Sequence, residues 1–249
     1  MKLDRIIAVR NNKTVYHDGD LCMKVFGEGF SKADILSEAL NLARIEETEL
    51  NIPKMRSVTV LDGKWTIVSD YVKGKTMAQL IRENPDKRDE YIDTFVGLQL
   101  KMHSVRCPKL FKLKDKMNER IRQTDLPATV RYDLHARIKA MPNHTKLCHG
   151  DFNPSNVIVT DDGEMYIIDW AHATCGNASA DAARTYLKFW LDGEITSAEK
   201  YLEAFCEKSE TDLKYVKKWM PIVAAAQLVK GNEKEREFLK SWINVVDYE

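Results

Sequence analysis

The sequence predicts an α+β chain in two parts: a smaller, strand-rich first part with one helix, and a larger, mostly helical second part. Three observations carry this. Short β-rich runs separated by Asn-, Asp- and Gly-containing turns crowd into residues 5–72. After Gly74 the character changes to helix. One short hairpin, near residues 157–168, interrupts the helices. The change in composition sets a boundary near 72–75, so residues 1–72 and 73–249 read as two lobes.

The elements follow in order. Arg5–Val9 and Thr14–His17 read as strands joined by the turn Arg10-Asn11-Asn12-Lys13, and Asp18-Gly19-Asp20 turns the chain into a third strand, Leu21–Phe26. Ser31-Lys32-Ala33-Asp34 resembles a capping box, opening a helix through about residue 50, with Pro53 just beyond. Val58–Leu61 and Trp65–Val72 form a hairpin about Asp62-Gly63. Helices are then expected over Thr76–Glu83, Asp89–Val105, Lys112–Arg122 and Thr129–Ala140. After the hairpin they are expected over Ala180–Leu191, Thr196–Lys208, Thr211–Leu228 and Glu233–Val246.

Bulk properties narrow the function. The 249 residues are 44 % hydrophobic and 31 % charged, as in an ordinary globular protein with a real core. Formal net charge is zero, so nothing global points to nucleic acid or membrane. The N-terminal apolar run is too short for a signal peptide, and Pro221–Val229 is too short to span a bilayer. The five cysteines are odd in number and lack CxxC or metal-ligand spacing. They read as reduced thiols of a cytoplasmic protein.

The most informative stretch is KLCHGDFNPSNVIVTDDGEMYIIDWA, residues 146–171. Val157–Thr160 and Glu164–Ile168 flank the turn Asp161-Asp162-Gly163. If they pair, Asn156 enters the hairpin where Asp169 leaves it, and the two side chains become cross-strand neighbours. An amide and a carboxylate side by side offer hard oxygen ligands, which suit Mg²⁺ better than zinc or copper. Asp151, five residues before Asn156, stands close to that metal and is available to orient or deprotonate a hydroxyl. The bland alternative is a surface hairpin with incidental acids.

Two residues of the first lobe carry chemistry. Lys24 lies in the apolar strand Leu21–Phe26, where an unpaired ammonium is costly to bury. Glu38 is the one carboxylate on the helix face formed by Ile35, Glu38, Leu42 and Ile45. The economical solution is that Lys24 and Glu38 pair, holding the ammonium where it reaches nucleotide phosphates. Either residue alone would read as solvated. The segment Asp70–Val72 ends the strand-rich region as an extended connector whose backbone polar groups can read an adenine edge; it also reads as a plain linker.

Taken together, these residues resemble the protein-kinase-like superfamily, and within it the aminoglycoside phosphotransferase and choline kinase branch. The resemblance covers essentially the whole length. His149-Gly150-Asp151 stands for the HRD of protein kinases, Asn153 for their catalytic-loop lysine, and Asp169-Trp170-Ala171 for DFG. Eleven residues separate Asp169 from Asp181, with no A-P-E, which leaves little room for a peptide-docking segment. The resemblance implies a bilobal kinase-like fold binding ATP and Mg²⁺. Asp151 would be the catalytic aspartate, Asn156 and Asp169 would hold Mg²⁺, and Lys24, oriented by Glu38, would contact the α- and β-phosphates. Asp181 would open a helix bracing the catalytic loop, with His149 and His103 structural. The phosphate loop lacks GxGxxG; Arg10–Thr14 stands in its place, with backbone N–H groups to cap phosphates and Lys13 as an added cation.

The acceptor is not named by the sequence. Residues 106–147 carry eleven basic residues against four acids, which argues against a cleft for a cationic aminoglycoside and also reads as a solvated basic helix pair. Trp190, Trp219, Trp242, Tyr186, Tyr201 and Tyr215 would suit a quaternary ammonium cage, but aromatic residues at helical spacing more often form core. The leading expectation is a small-molecule O-phosphotransferase, a monomer or weak dimer. The alternatives are a compact protein kinase and a catalytically silent nucleotide-binding module.

Overall fold

The computed structural model describes residues 5–10, 12–107, 109–229 and 232–243. The chain forms two compact units, Met1–Glu83 with Pro154–His172, and Asn84–Asn153 with Ala173–Glu249. The packing boundary therefore falls at Glu83, and the 157–168 hairpin packs with the strand-rich segment rather than with the helices that flank it in sequence.

In the first unit, strands β1 (Arg5–Arg10), β2 (Lys13–Asp18) and β3 (Leu21–Phe26) follow one another as antiparallel neighbours. Helix α1 (Lys32–Ile45) opens as its capping signal predicts: Ser31 Oγ accepts from the Asp34 N–H at 3.1 Å. It ends at Ile45, short of residue 50. Thr48 folds back, and its N–H (2.9 Å) and hydroxyl (2.7 Å) both donate to the Ile45 carbonyl, so the helix cannot continue. Strands β4 (Met55–Leu61) and β5 (Lys64–Asp70) complete a five-stranded sheet of order β1-β2-β3-β5-β4. Phe26, Ile35, Ala39 and Ile67 form the buried seam between this sheet and α1. Short strand β6 (Lys75–Thr76) leads into helix α2 (Met77–Glu83).

The second unit contains helices α3 (Arg88–Ser104), α4 (Leu113–Arg122) and α5 (Ala128–Ala140), then strand β7 (Lys146–Cys148). The chain next supplies the first unit's hairpin, β8 (Val157–Val159) and β9 (Met165–Ile167), where β6-β8-β9 make a three-stranded sheet. Strand β10 (Thr174–Gly176) returns to pair with β7. Both β7 and β10 are three residues long, too brief to show a period in sequence.

Helices α6 (Ala178–Leu191) and α7 (Ile195–Ser209) lie where expected. The single helix expected over 211–228 is instead two, α8 (Leu213–Lys217) and α9 (Met220–Leu228). Pro221 is the cause: it lacks an N–H and clashes inside a helix but fits the first turn of α9. Every residue of α9 is buried, as befits a helix apolar on all sides. Helix α10 (Glu233–Ile243) follows; residues 244–246 of the expected helix lie outside the described residues.

Around α9 the core of this unit is aromatic. Phe95 and Phe152 stack at 4.3 Å, and Tyr201 and Trp219 are fully buried. Trp190, Tyr186, Trp242 and Phe238 pack on one another, and the Tyr215 hydroxyl accepts from Asn177 at 2.6 Å. Tyr186, Trp190, Tyr201 and Trp242 thus make ring contacts with aromatic neighbours, as core packing expects.

Candidate active site

In the first unit Lys24 projects from β3 and is 18 % exposed. Its Nζ lies 2.5 Å from Glu38 Oε1 on α1 and 2.8 Å from Asp169 Oδ1, so strand, helix and hairpin meet at one ammonium. Burial works against the charge, but Asp169 and Glu38 outweigh it and hold the Lys24 pKa above the usual lysine value. Lys24 is therefore a fixed cation at any physiological pH. Glu38 also receives Lys13 Nζ at 3.2 Å, and that ammonium lies over the Phe26 and Phe30 rings at 5.0 and 4.8 Å. Lys13 thus joins the Glu38 cluster.

The hairpin register places Ile168, not Asp169, opposite Asn156: Val157 pairs with Ile167, and the Ile168 N–H donates to the Asn156 carbonyl at 3.0 Å. The five residues between β8 and β9 fix this register, one step from the cross-strand pairing expected. Asp169 then takes a left-handed conformation, φ 64°, as the chain leaves the hairpin. That turn carries its carboxylate to Lys24. Asn156 is 1 % exposed. The hairpin is tied to its own unit by the Ile167 N–H to the Asn51 carbonyl (3.0 Å) and by Trp170 Nε1 to the Ile167 carbonyl (3.0 Å).

The β1–β2 turn folds onto the end of β3. Asn12 is left-handed at φ 63°, its carbonyl accepts from the Gly27 N–H at 2.8 Å, and its amide donates to the Glu28 carbonyl. A Cβ at Gly27 would lie 2.7 Å from the Asn12 carbonyl oxygen, so glycine is needed for this approach. Asn11 lies outside the described residues. In the connector, Asp70 Oδ1 pairs with Arg56 Nε at 2.5 Å. The Asp70 and Tyr71 N–H groups donate to the carbonyls of Lys54 and Asp20 at 2.9 and 2.8 Å, and neither bond uses Val72.

In the second unit the loop 149–153 carries Asp151. Gly150 is left-handed at φ 77°, a conformation that suits glycine. The N–H groups of His149 and Gly150 donate to the two oxygens of Asp181 at 3.0 and 2.7 Å, and His103 Nε2 lies 3.1 Å from Oδ2. Burial raises the Asp181 pKa, but the hydrogen bond and charge of His103, with His149 and the Gly150 N–H, bring it below the usual value. The Asp151 N–H donates to His149 Nδ1 at 3.2 Å, and the Phe152 carbonyl accepts from Thr185 at 2.8 Å. Asp181 and the two histidines therefore fix the loop. Cys148 stands near enough to His103 and Asp181 to suggest a metal set, but Asp181 already accepts three bonds and the Cys148 thiol faces the Asn177 carbonyl at 3.4 Å.

Two residues beside Asp151 escaped sequence reasoning. Arg184 on α6 is 4 % exposed, and its Nη2 lies 3.7 Å from Asp151 Oδ1. Arg120 on α4, counted among solvated basic residues, is half-buried. Burial and Arg184 pull its pKa down to about 10, with Asp151 opposing. The signal existed: Arg184 is the one cation among Ala180, Asp181, Ala183 and Leu187 on a buried helix, the same argument that singled out Glu38. Other basic residues of 106–147 are local: Arg131 Nη1 donates to the Leu126 carbonyl at 2.6 Å, and Arg137 pairs with Asp133 at 2.7 Å.

Comparison with known proteins gives the class. Residues 8–219 match the phosphotransferase enzyme family, and the chain belongs to that family. No curated protein matches the sequence. Among solved structures it is similar to a choline/ethanolamine kinase family protein from Mesorhizobium loti, at 17 % identity and TM-score 0.63, covering 100 % of this chain and 83 % of that one. It is also similar to a thermostable mutant of aminoglycoside phosphotransferase APH(4)-Ia in ternary complex with AMP-PNP and hygromycin B. Identity there is 16 % and TM-score 0.69, with 95 % and 89 % of the two chains covered. Choline kinase LicA from Streptococcus pneumoniae matches at 16 % identity and TM-score 0.62, with 99 % and 94 % covered. The fold is the α+β protein-kinase-like fold that the sequence predicts, in its aminoglycoside phosphotransferase and choline kinase form. Among the described residues no helix is long and apolar enough to cross a membrane.

Proposed function

We propose that this phosphotransferase uses ATP and Mg²⁺ to move the γ-phosphate onto a hydroxyl of a small molecule. The observation that carries the reading is Lys24, held at 2.5 Å by Glu38 and at 2.8 Å by Asp169, a carboxylate 145 residues away in sequence. A half-buried lysine clamped by two carboxylates is a preorganised phosphate contact. Lys24 is the α/β-phosphate ligand in this reading, oriented by Glu38, and Lys13 adds charge from the same cluster. The adenine edge falls to the Asp70–Val72 connector.

The donor set suits Mg²⁺. Asn156 and Asp169 offer an amide and a carboxylate oxygen, hard ligands, and the Asp169 side chain is one-third exposed. Bound Mg²⁺ would neutralise charge on the β- and γ-phosphates. Asp151 accepts the acceptor's hydroxyl proton as that oxygen bonds to the γ-phosphorus and the bond to the β–γ bridging oxygen breaks, releasing ADP. Residues 1–72 thus serve the nucleotide, and 73–249 supply catalysis and the acceptor site.

A small acceptor, rather than a peptide, is supported by the segment after Asp169. It is filled by a helical turn, Trp170–His172, and by β10 before α6 begins, which leaves no long segment to dock a protein. All five cysteines are free thiols, which fits the cytoplasm. We read the protein as a monomer or weak dimer with no nucleic-acid or membrane partner. The test is ADP release, with and without Mg²⁺, across sugars, amino alcohols, hydroxy acids, aminoglycosides and mixed proteins. Transfer to one small-alcohol class is expected. Transfer to proteins alone would favour a compact protein kinase, and ATP binding without transfer would mark a silent nucleotide module.

A further inference from the structure

Asp151 sits among more positive charge than one general base requires. Arg184 Nη2 is 3.7 Å from Asp151 Oδ1, beyond hydrogen-bond reach, while its Nε and Nη1 are buried without a hydrogen-bond partner among the described residues. Leaving guanidinium N–H groups unfilled in a protein interior is costly. Arg120, half-buried on α4, feels the charge of both Arg184 and Asp151. The other acids whose charge reaches Arg184, Asp181 and Glu235, already accept hydrogen bonds. Asp181 holds the loop N–H groups and His103. Glu235, whose charge Arg184 also senses, accepts from Gln227 at 3.0 Å and from Asn232 at 2.6 Å.

We propose that Arg184 and Arg120 form an oxyanion subsite beside Asp151, so that the phosphate acceptor is an alcohol carrying a carboxylate or phosphate group. Guanidinium forks match the paired oxygens of either group, and an oxyanion relieves the repulsion between the two arginines. Half-buried Arg120 gives the ligand access, and Arg184 supplies the desolvated contact. An anion anchored there sets its neighbouring hydroxyl at the base. The same charges disfavour a quaternary ammonium or a polycationic antibiotic. Calling the anion's carrier the acceptor rests on the phosphotransferase reading above; the oxyanion subsite itself does not.

Calorimetric titration of the full chain, saturated with Mg-ADP, tests this with D-glycerate, glycerol 3-phosphate and choline. The two anionic probes separate carboxylate from phosphate. Binding of at least one of them, and not of choline, is expected. Arg184→Gln and Arg120→Gln should each weaken it by about tenfold or more, and Arg184→Lys should recover part, since it keeps charge but loses the fork. Melting curves without ligand show whether buried Arg184→Gln is folded; half-buried Arg120→Gln carries the test if it is not. Refusal of both anions, or anion binding unchanged by either glutamine variant, overturns the proposal. Phosphoryl transfer to cationic alcohols alone overturns it while leaving the kinase reading intact. Arginine-dependent anion binding with no transfer to any alcohol keeps the subsite and removes the kinase reading.

Discussion

At the scale of single residues, the roles proposed for Asp151 and for the Lys24–Glu38 cluster are separable by mutation. Asp151 lies in the second unit, whereas Lys24, Glu38, Asn156 and Asp169 lie in the first. Asp151→Asn should therefore retain Mg-ATP binding while lowering transfer by at least about 100-fold. Nucleotide affinity and turnover, measured side by side, check this, and lost affinity with intact turnover would reverse the assignment. Lys24 and Glu38 should behave as one unit. Glu38 serves chiefly to hold Lys24, so a Lys24→Ala, Glu38→Ala double variant should be little worse than Lys24→Ala in kcat/KM for ATP. Lys13 refines the expectation: it shares Glu38 at 3.2 Å, so Lys13→Ala should cost less than Lys24→Ala and should couple to Glu38→Ala. Strictly additive losses in the cycle would mean the cluster does not act together. The Lys24–Glu38 pair was legible in the sequence because each residue was a lone charge in an apolar pattern. Asp169 as a third member was not legible, since nothing local shows that it meets Lys24.

At the scale of elements, the hairpin is held by a close backbone approach. A Cβ on Gly74 would come within 2.3 Å of the Val159 carbonyl and 2.9 Å of Ile158 Cγ2, where β6 pairs with β8. The obstruction is backbone, so it cannot rotate away. Gly74→Ala should destabilise the protein by about 1–3 kcal/mol, read as a lower urea midpoint, and should weaken Mg-nucleotide binding because Asn156 and Asp169 ride on that hairpin. Wild-type stability would show that β6 does not clamp β8. Element types along the chain followed from composition and turn residues, and β3 matches its expected bounds. The failures have plain causes. Thr48 ended α1 by capping Ile45, Pro221 split one expected helix into two, and β7 and β10 form through pairing with distant segments.

At the scale of the whole molecule, acid stability should report the Asp181 brace. Its carboxyl titrates below the usual range, so its contribution is fully present above the ordinary value of about 4. That contribution is lost as pH falls through the lowered native value. The charged or titratable groups near it include His103, His149, Arg184, Cys148 and Tyr201. Urea midpoints of the protein and of Asp181→Asn should differ most near pH 5–7 and converge below about pH 4. A gap unchanged at pH 3 would show that the brace does not depend on charge. The sequence by itself determined the α+β class, the two-part order of elements, the 157–168 hairpin and the Lys24–Glu38 pair. Periodicity and the cost of burying a lone charge act within short stretches, where spacing can be read directly. Only the tertiary structure decided that Asp169 clamps Lys24, that Lys13 joins Glu38, that the hairpin packs with the first unit, and that Arg184 approaches Asp151 to 3.7 Å with Arg120 within reach of both charges. Those meetings depend on how distant segments pack, and the spacing of residues along a chain does not specify which distant surfaces come together.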